Sequence, residues 1–569
     1  MAISFIAPRG YRANVHSCAI EHTVGLILDS RQRRARFGRY AAELLRAEGL
    51  AHAHLFELAS VTAQDLSRCA VVVVTSCGAV DGTVALLASF VAAGGRLILL
   101  RPALELAPLL GLDPLWRASI DSRLLVDSRS HPFGDFPYVP LQLLAPLDLY
   151  RVVDPSVTVH ARAASLPWGV ESDPCIVERA VGNGRVLAFL YDLPQTIALL
   201  RQGDPALSEV DSDGLVGIRP NDSQQWQIDP ALGMVPQADV HQALLARAVE
   251  HLAPFPMPRL WHLPGHATSL LVLTGDLCAN RPDEWLLDEA AFVEKHGGTM
   301  SFYLHVGAEF DPSTIARLRE GGHTLSIHPF AQPFSVPHMD VTLGSHLETF
   351  AQRFGDPPPH TVRHHRLQWL GWAEQAKLQH KHGLRLDLNF TTARPLRNGY
   401  LFGSGRPLRF VDDSGKIVDC WQHPTQFEDD LILGDHEISL RVGTAEANAL
   451  YDTVLDESLA RWHSALAVNA HPGNFARYAR EWEQHLIRTT AAKGVPIWNP
   501  ERWLEFVDAR DAVTLPVPTG GDGGWRFDAS LPTGADLTLL SPERHGGARL
   551  ADDRDTPAFE IHGWRYVAL

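Results

Sequence analysis

The chain has 569 residues, enough for three or four domains with large cores. Its hydrophobic fraction of 45% and charged fraction of 20% mark a globular protein and exclude a disordered one. A formal charge of −16 excludes a broad phosphate-binding surface, so no nucleic-acid partner is expected.

RQRRARFGR (31–39) is a local exception, read as the solvated face of a helix. Six scattered cysteines without a CxxC pair form neither a disulfide framework nor a zinc knuckle, and they fit a reducing compartment. The N-terminus lacks the basic start and apolar run of a signal peptide, and no apolar stretch approaches the roughly 20 residues of a membrane span. A cytoplasmic location without a membrane partner is the expectation.

In chain order, VGLILDS (24–30), HLFELA (54–59), VVVVTS (71–76) and RLILLRP (96–102) alternate with amphipathic helices. Fully apolar strands separated by helices predict a parallel, flavodoxin-like sheet covered on both faces. This first α/β unit spans 1–252, with a less regular insertion at about 113–175. Proline-rich 253–264 reads as a linker. A second strand–helix alternation over 265–510 predicts a (β/α) barrel, closed or incomplete. From 511 to 569 alternating residues without helical pattern predict a small β-sandwich-like unit.

Four polar clusters fall at predicted strand ends of the second region, where barrel active sites gather. They are Asp276 after LLVLTG, His328 after HTLSI, Arg363 with His364 and His365 in TVRHHR, and His471 in VNAHP. All four are candidate functional residues.

This order of Asp, His, Arg and His–Pro resembles the NodB-like polysaccharide deacetylases over about 265–508. The resemblance implies a metal-dependent hydrolase of N-acyl bonds on an amino sugar or related carbohydrate, with zinc or a similar divalent ion. It implies Asp276 as base, Arg363 as its orienting residue, His471 as acid and His328, with Asp276 beside it, as metal ligand. On that reading Trp369, Trp372, Trp421 and Trp498 offer faces on which a sugar could stack, with Trp369 and His365 as substrate contacts. The family's strand ends T-x-D-D, and Leu277 stands where the second Asp would bind the metal. The second ligand histidine falls on Gln332. His323, five residues before His328, lies on the opposite face of a regular strand. His338, Gln332, His364 and His365 are the residues that could complete the site, and His323 is one too if the strand breaks before His328. Leu277→Asp with Gln332→His is expected to create metal binding if the centre is degenerate. With two of three family ligands replaced, the alternatives are a weak or absent metal and a non-catalytic descendant that binds a carbohydrate or a protein.

The first unit, through VVVVTSCGAVDGTVALLASFVAAGGRLILLRP, resembles ThuA-like and class I glutamine-amidotransferase-like domains. Cys77 lacks the tight glycine turn of an amidotransferase nucleophile and is read as structural. The unit is therefore expected to scaffold, to form homo-oligomers or to shape the cleft.

Overall fold

The structure is a computed structural model. It describes residues 2–3, 20–76, 82–120, 122–137, 139–164, 171–212, 216–224, 229, 232–355, 357–391, 405–435, 439–521, 524–545, 548–549 and 557–569. Cys77 lies outside them.

The fold is mixed α/β. In the first unit five parallel strands run His54–Glu57, His22–Leu28, Cys69–Thr75, Arg96–Leu100 and Gly184–Phe189 across the sheet. Cys69–Thr75 is buried at every position, because its β-branched run packs on both sheet faces. The sheet does not stop at the parallel strands. Glu171–Val181 turns back on Gly184–Phe189 through Gly182 at φ 58°, and Thr158–Ala164, Ser122–Val126 and Leu141–Leu143 extend it antiparallel. The expected insertion thus supplies most of one side of the same sheet.

Among the described residues the second sheet has ten strands. Leu270–Leu277 lies third from one end of the order, flanked by Ser301–Leu304 and Ala465–Ala470, all parallel. Thr324–Ile327, Thr361–Val362 and Leu386–Asp387 continue the parallel order on one side, and Thr425–Glu428 follows Ala465–Ala470 on the other. The sheet curls, with a parallel bridge between Thr391 and Thr425. The helix Asp283–Lys295 shows why chain and element agree. Asp283 and Glu284 stand in its positive first turn, and Gly297, at φ 74°, takes the left-handed conformation just beyond its end.

The stretch 253–264 is built into the protein. Arg259–Leu260 pairs antiparallel with Leu539–Pro542, and Trp564–Ala568 and Ala558–Ile561 complete that four-stranded sheet. Among the described residues no helix is long and apolar enough to cross a membrane.

Buried polar groups join the two α/β units. Glu48, behind the helix Tyr40–Ala47, accepts hydrogen bonds from Gln242, Arg259 and Arg406. Arg201, on the helix Leu193–Gln202, donates to the carbonyls of Arg406 and Gln422 at 2.8 and 2.9 Å. Burial alone would raise the Glu48 pKa, but Arg406 and Arg259 outweigh it and bring it down to about 2. A carboxyl lowered on folding stabilises the fold above its ordinary pKa of 4.5 and loses that contribution as pH falls towards 2. Glu48→Gln is therefore expected to cost about 3 kcal/mol at neutral pH. In urea unfolding the gap to the native chain should narrow steadily as the pH is lowered to about 3.

Candidate active site

Parallel strands point their carboxyl ends the same way, so residues that finish neighbouring strands meet on one rim. Asp276 stands opposite Tyr303, and Ile327 opposite Val362, which puts His328 and Arg363 side by side one residue later. Ala470 pairs with Gly275, and His471 follows it. The structure thus gathers Asp276, His328, Arg363 and His471 at one place.

Asp276 is held from two sides. The Thr274 hydroxyl donates to Asn469 Oδ1 at 2.8 Å, which orients that amide so that Nδ2 donates to Asp276 Oδ2 at 3.1 Å. Arg363 Nε stands 3.6 Å from Oδ1, while Arg363 Nη2 donates to Thr425 Oγ1 at 2.7 Å and keeps the guanidinium in place. Oδ1 makes no hydrogen bond among the described residues, leaving one carboxylate oxygen for a water or a substrate. Burial pushes the Asp276 pKa up to about 6 against the opposing charges of Arg363 and His471.

His471 opens a short helical turn after Ala465–Ala470 and is fixed by Asp429. Its backbone N–H donates to Asp429 Oδ2 at 3.0 Å, and Nδ1 meets Asp429 Oδ1 at 2.6 Å. Burial disfavours the charged ring, but Asp429 and Asp430 outweigh it and raise its pKa well above the ordinary histidine value. One donor atom each of Asp276, Glu428 and His471 lie within 4.8 Å of one another. Asp429 and Asn469 were not singled out from the sequence. The doubled acid at the end of TQFED was the available signal for the first.

Of the expected substitutes for the family's metal ligands, His365 stands beside His328, while the others do not converge here. Leu277 is 1% exposed and packs in the main core, because alternate residues of a strand face opposite ways. Gln332 is exposed. His323 is tied at the far end of its strand by Glu294 and by the N–H of Met300. His338 is exposed on the helix Val336–Phe354 and bonds Ser335. His364 is buried, with its N–H on Asn389 and its ring against Gln379. The family's ligand pattern therefore does not fit this chain.

Trp369 is not a sugar platform. It is 2% exposed and stacks on Phe410, with ring centroids 5.2 Å apart. Trp372, Trp421 and Trp498 are buried as well. His365, expected to touch substrate, is half-buried and faces His328, with Nδ1 3.2 Å from His328 Nε2. Cys278, which sequence reading passed over as one of six scattered cysteines, brings Sγ to 3.6 Å from the same Nε2. It also lies in hydrogen-bonding contact with His471. The signal was alternation: two residues beyond Asp276, Cys278 is on the Asp276 side of the strand.

His328 Nδ1 stands 3.8 Å from Asp276 Oδ2, but this is not an ion pair. Burial, with His365 alongside, holds the His328 ring well below the usual histidine pKa, and Nδ1 bonds the Arg363 carbonyl at 2.9 Å. A separate cleft of 810 Å³, lined by His131, His160, Glu178, His251 and Trp564, contains none of these residues.

No known protein family and no curated protein matches the chain. Among solved structures it is similar to Agd3, described as a novel carbohydrate deacetylase, over 97% of both chains at 10% identity and a TM-score of 0.38. It is similar to a family 4 carbohydrate esterase from Streptomyces lividans over 46% of this chain and 97% of that one, at 11% identity and a TM-score of 0.26. It is also similar to a β-galactosidase from Rahnella sp. R3 over 30% of this chain and 29% of that one, at 13% identity and a TM-score of 0.25. Scores this low carry no argument about chemistry, which has to come from the side chains.

Proposed function

We propose that the chain hydrolyses an amide-linked acyl group, with Asp276 as general base and His471 as general acid. The observation that carries this reading is their placement within 4.8 Å of each other, each locked by its own partners on different strands. Asp276 takes a proton from water as its oxygen attacks the acyl carbon. His471, held at Nδ1 by Asp429, gives the Nε2 proton to the departing nitrogen as the C–N bond breaks, releasing acid and amine. Arg363 keeps Asp276 aimed. The amino-sugar substrate is drawn from the motif resemblance over about 265–508.

Asp429→Asn tests the acid. Without its carboxylate the imidazole loses its orientation and the partner of its charged form, as in catalytic triads generally. Acetate release from N-acetylated amino-sugar oligomers should fall about 10²–10⁴-fold in kcat with KM little changed. A native protein that releases no acetate from such oligomers would overturn the reading. Retention of the sugar without turnover would then identify a carbohydrate-binding protein built on the same cleft.

A further inference from the structure

We infer that Cys278, His328 and His365 form a binding centre for a zinc-class divalent ion. It uses none of the positions left vacant by Leu277 and Gln332. One donor atom from each of the three residues lies within 4.8 Å of the others, and the residues come from three separate strand ends.

The spacing suits a single tetrahedral ion. With metal–nitrogen bonds of about 2.0 Å and a metal–sulfur bond of about 2.3 Å, two nitrogens stand about 3.3 Å apart, and a nitrogen and a sulfur about 3.5 Å. The protein places His328 Nε2 3.2 Å from His365 Nδ1 and 3.6 Å from Cys278 Sγ.

The surroundings have the character of a ligand support. His328 commits Nδ1–H to the Arg363 carbonyl at 2.9 Å, which leaves the Nε2 lone pair facing the other two donors. His365 is drawn to the same point by its backbone N–H, which donates to the Pro329 carbonyl at 2.9 Å. The turn that carries it holds Arg366 and Leu367 at φ 57° and 54°, left-handed values that side chains rarely adopt and that cost about 1–2 kcal/mol each. Such strain persists where surrounding contacts over-determine it. His328 is buried, His365 half-buried and Cys278 exposed, so the cluster reaches the surface on the Cys278 side. Three protein ligands with an open fourth place is the arrangement of catalytic zinc. One sulfur and two imidazole nitrogens favour zinc or cobalt over magnesium or calcium. On binding, the thiol proton passes to solvent and the thiolate becomes the ligand.

The ion's use in the cleft rests on the hydrolytic reading above, whereas its binding is measured without it. Cobalt(II) is titrated into chelator-treated full-length protein and followed by absorption. The expected result is one equivalent bound with a thiolate-to-cobalt charge-transfer band. Cys278→Ser should abolish that band and weaken binding at least about 10²-fold. His365→Gln should weaken binding similarly while leaving the melting temperature near that of the native chain. No binding by the native protein would overturn the centre. So would cobalt bound without the band, or with an affinity that neither variant changes, since the ion would then sit among Asp276, Glu428 and His471 or on Asp429 and Asp430. If the band appears and no acyl substrate turns over, the centre stands and the hydrolytic reading falls. If stripped protein hydrolyses amides and no band forms, the reverse holds.

Discussion

Asp276→Asn is expected to lower acyl release by about 10²–10⁴-fold, almost wholly in kcat. The substitution is nearly isosteric, and its amide oxygen can still accept from Asn469 Nδ2, the bond that holds Asp276 Oδ2 at 3.1 Å. What disappears is the carboxylate oxygen that has no hydrogen bond among the described residues, and with it the ability to take a proton from water. Steady-state kinetics on the substrate that the native chain uses, with a thermal melt as control, separates the two effects. An unchanged melt with lost turnover places Asp276 in the chemistry. Retained turnover would move the base elsewhere and leave Asp276 as a partner for Arg363.

Leu277→Asp is expected to destabilise the chain by about 4–5 kcal/mol rather than to create a metal ligand, alone or with Gln332→His. Its side chain sits in the main hydrophobic core, 1% exposed, on the strand face opposite Asp276. A carboxylate there would be an unpaired buried charge, and the lost leucine would add a packing penalty. Gln332 is exposed and does not join the Cys278–His328–His365 cluster. Urea unfolding gives the stability loss directly. A variant that stays folded and gains a bound ion would restore the family's ligand pattern and contradict the strand alternation seen here.

The strand ends were legible because fully apolar runs broken by helices admit few other folds, and catalytic side chains collect at the ends of such strands. Asp276, His328, Arg363 and His471 could be named on that basis and through the motif resemblance. The residues that hold them could not. Thr274 reaches Asn469 only because the two strands pair in that register, and nothing local to either stretch specifies a partner 195 positions away. Asp429 is the same case, 42 positions before His471. Cys278 differs, since the two-residue period alone places it beside Asp276. The tryptophans misled for a simple physical reason: large aromatic surfaces are as useful to a core as to a sugar, and composition does not distinguish the uses. The strands at 122–181 escaped notice because polar residues interrupt their alternation.

Glu48 gives the three-part reading of the chain a different meaning. One buried carboxylate receives side chains from positions 242, 259 and 406, and the Arg201 guanidinium spans the same boundary. The boundaries drawn along the sequence are thus mechanical joints under lock. Removing the charges on one side would leave those on the other unpaired in the interior, a cost that neither unit bears alone. In that sense the first unit belongs to the scaffold of the candidate site, although none of its described residues stands on the rim.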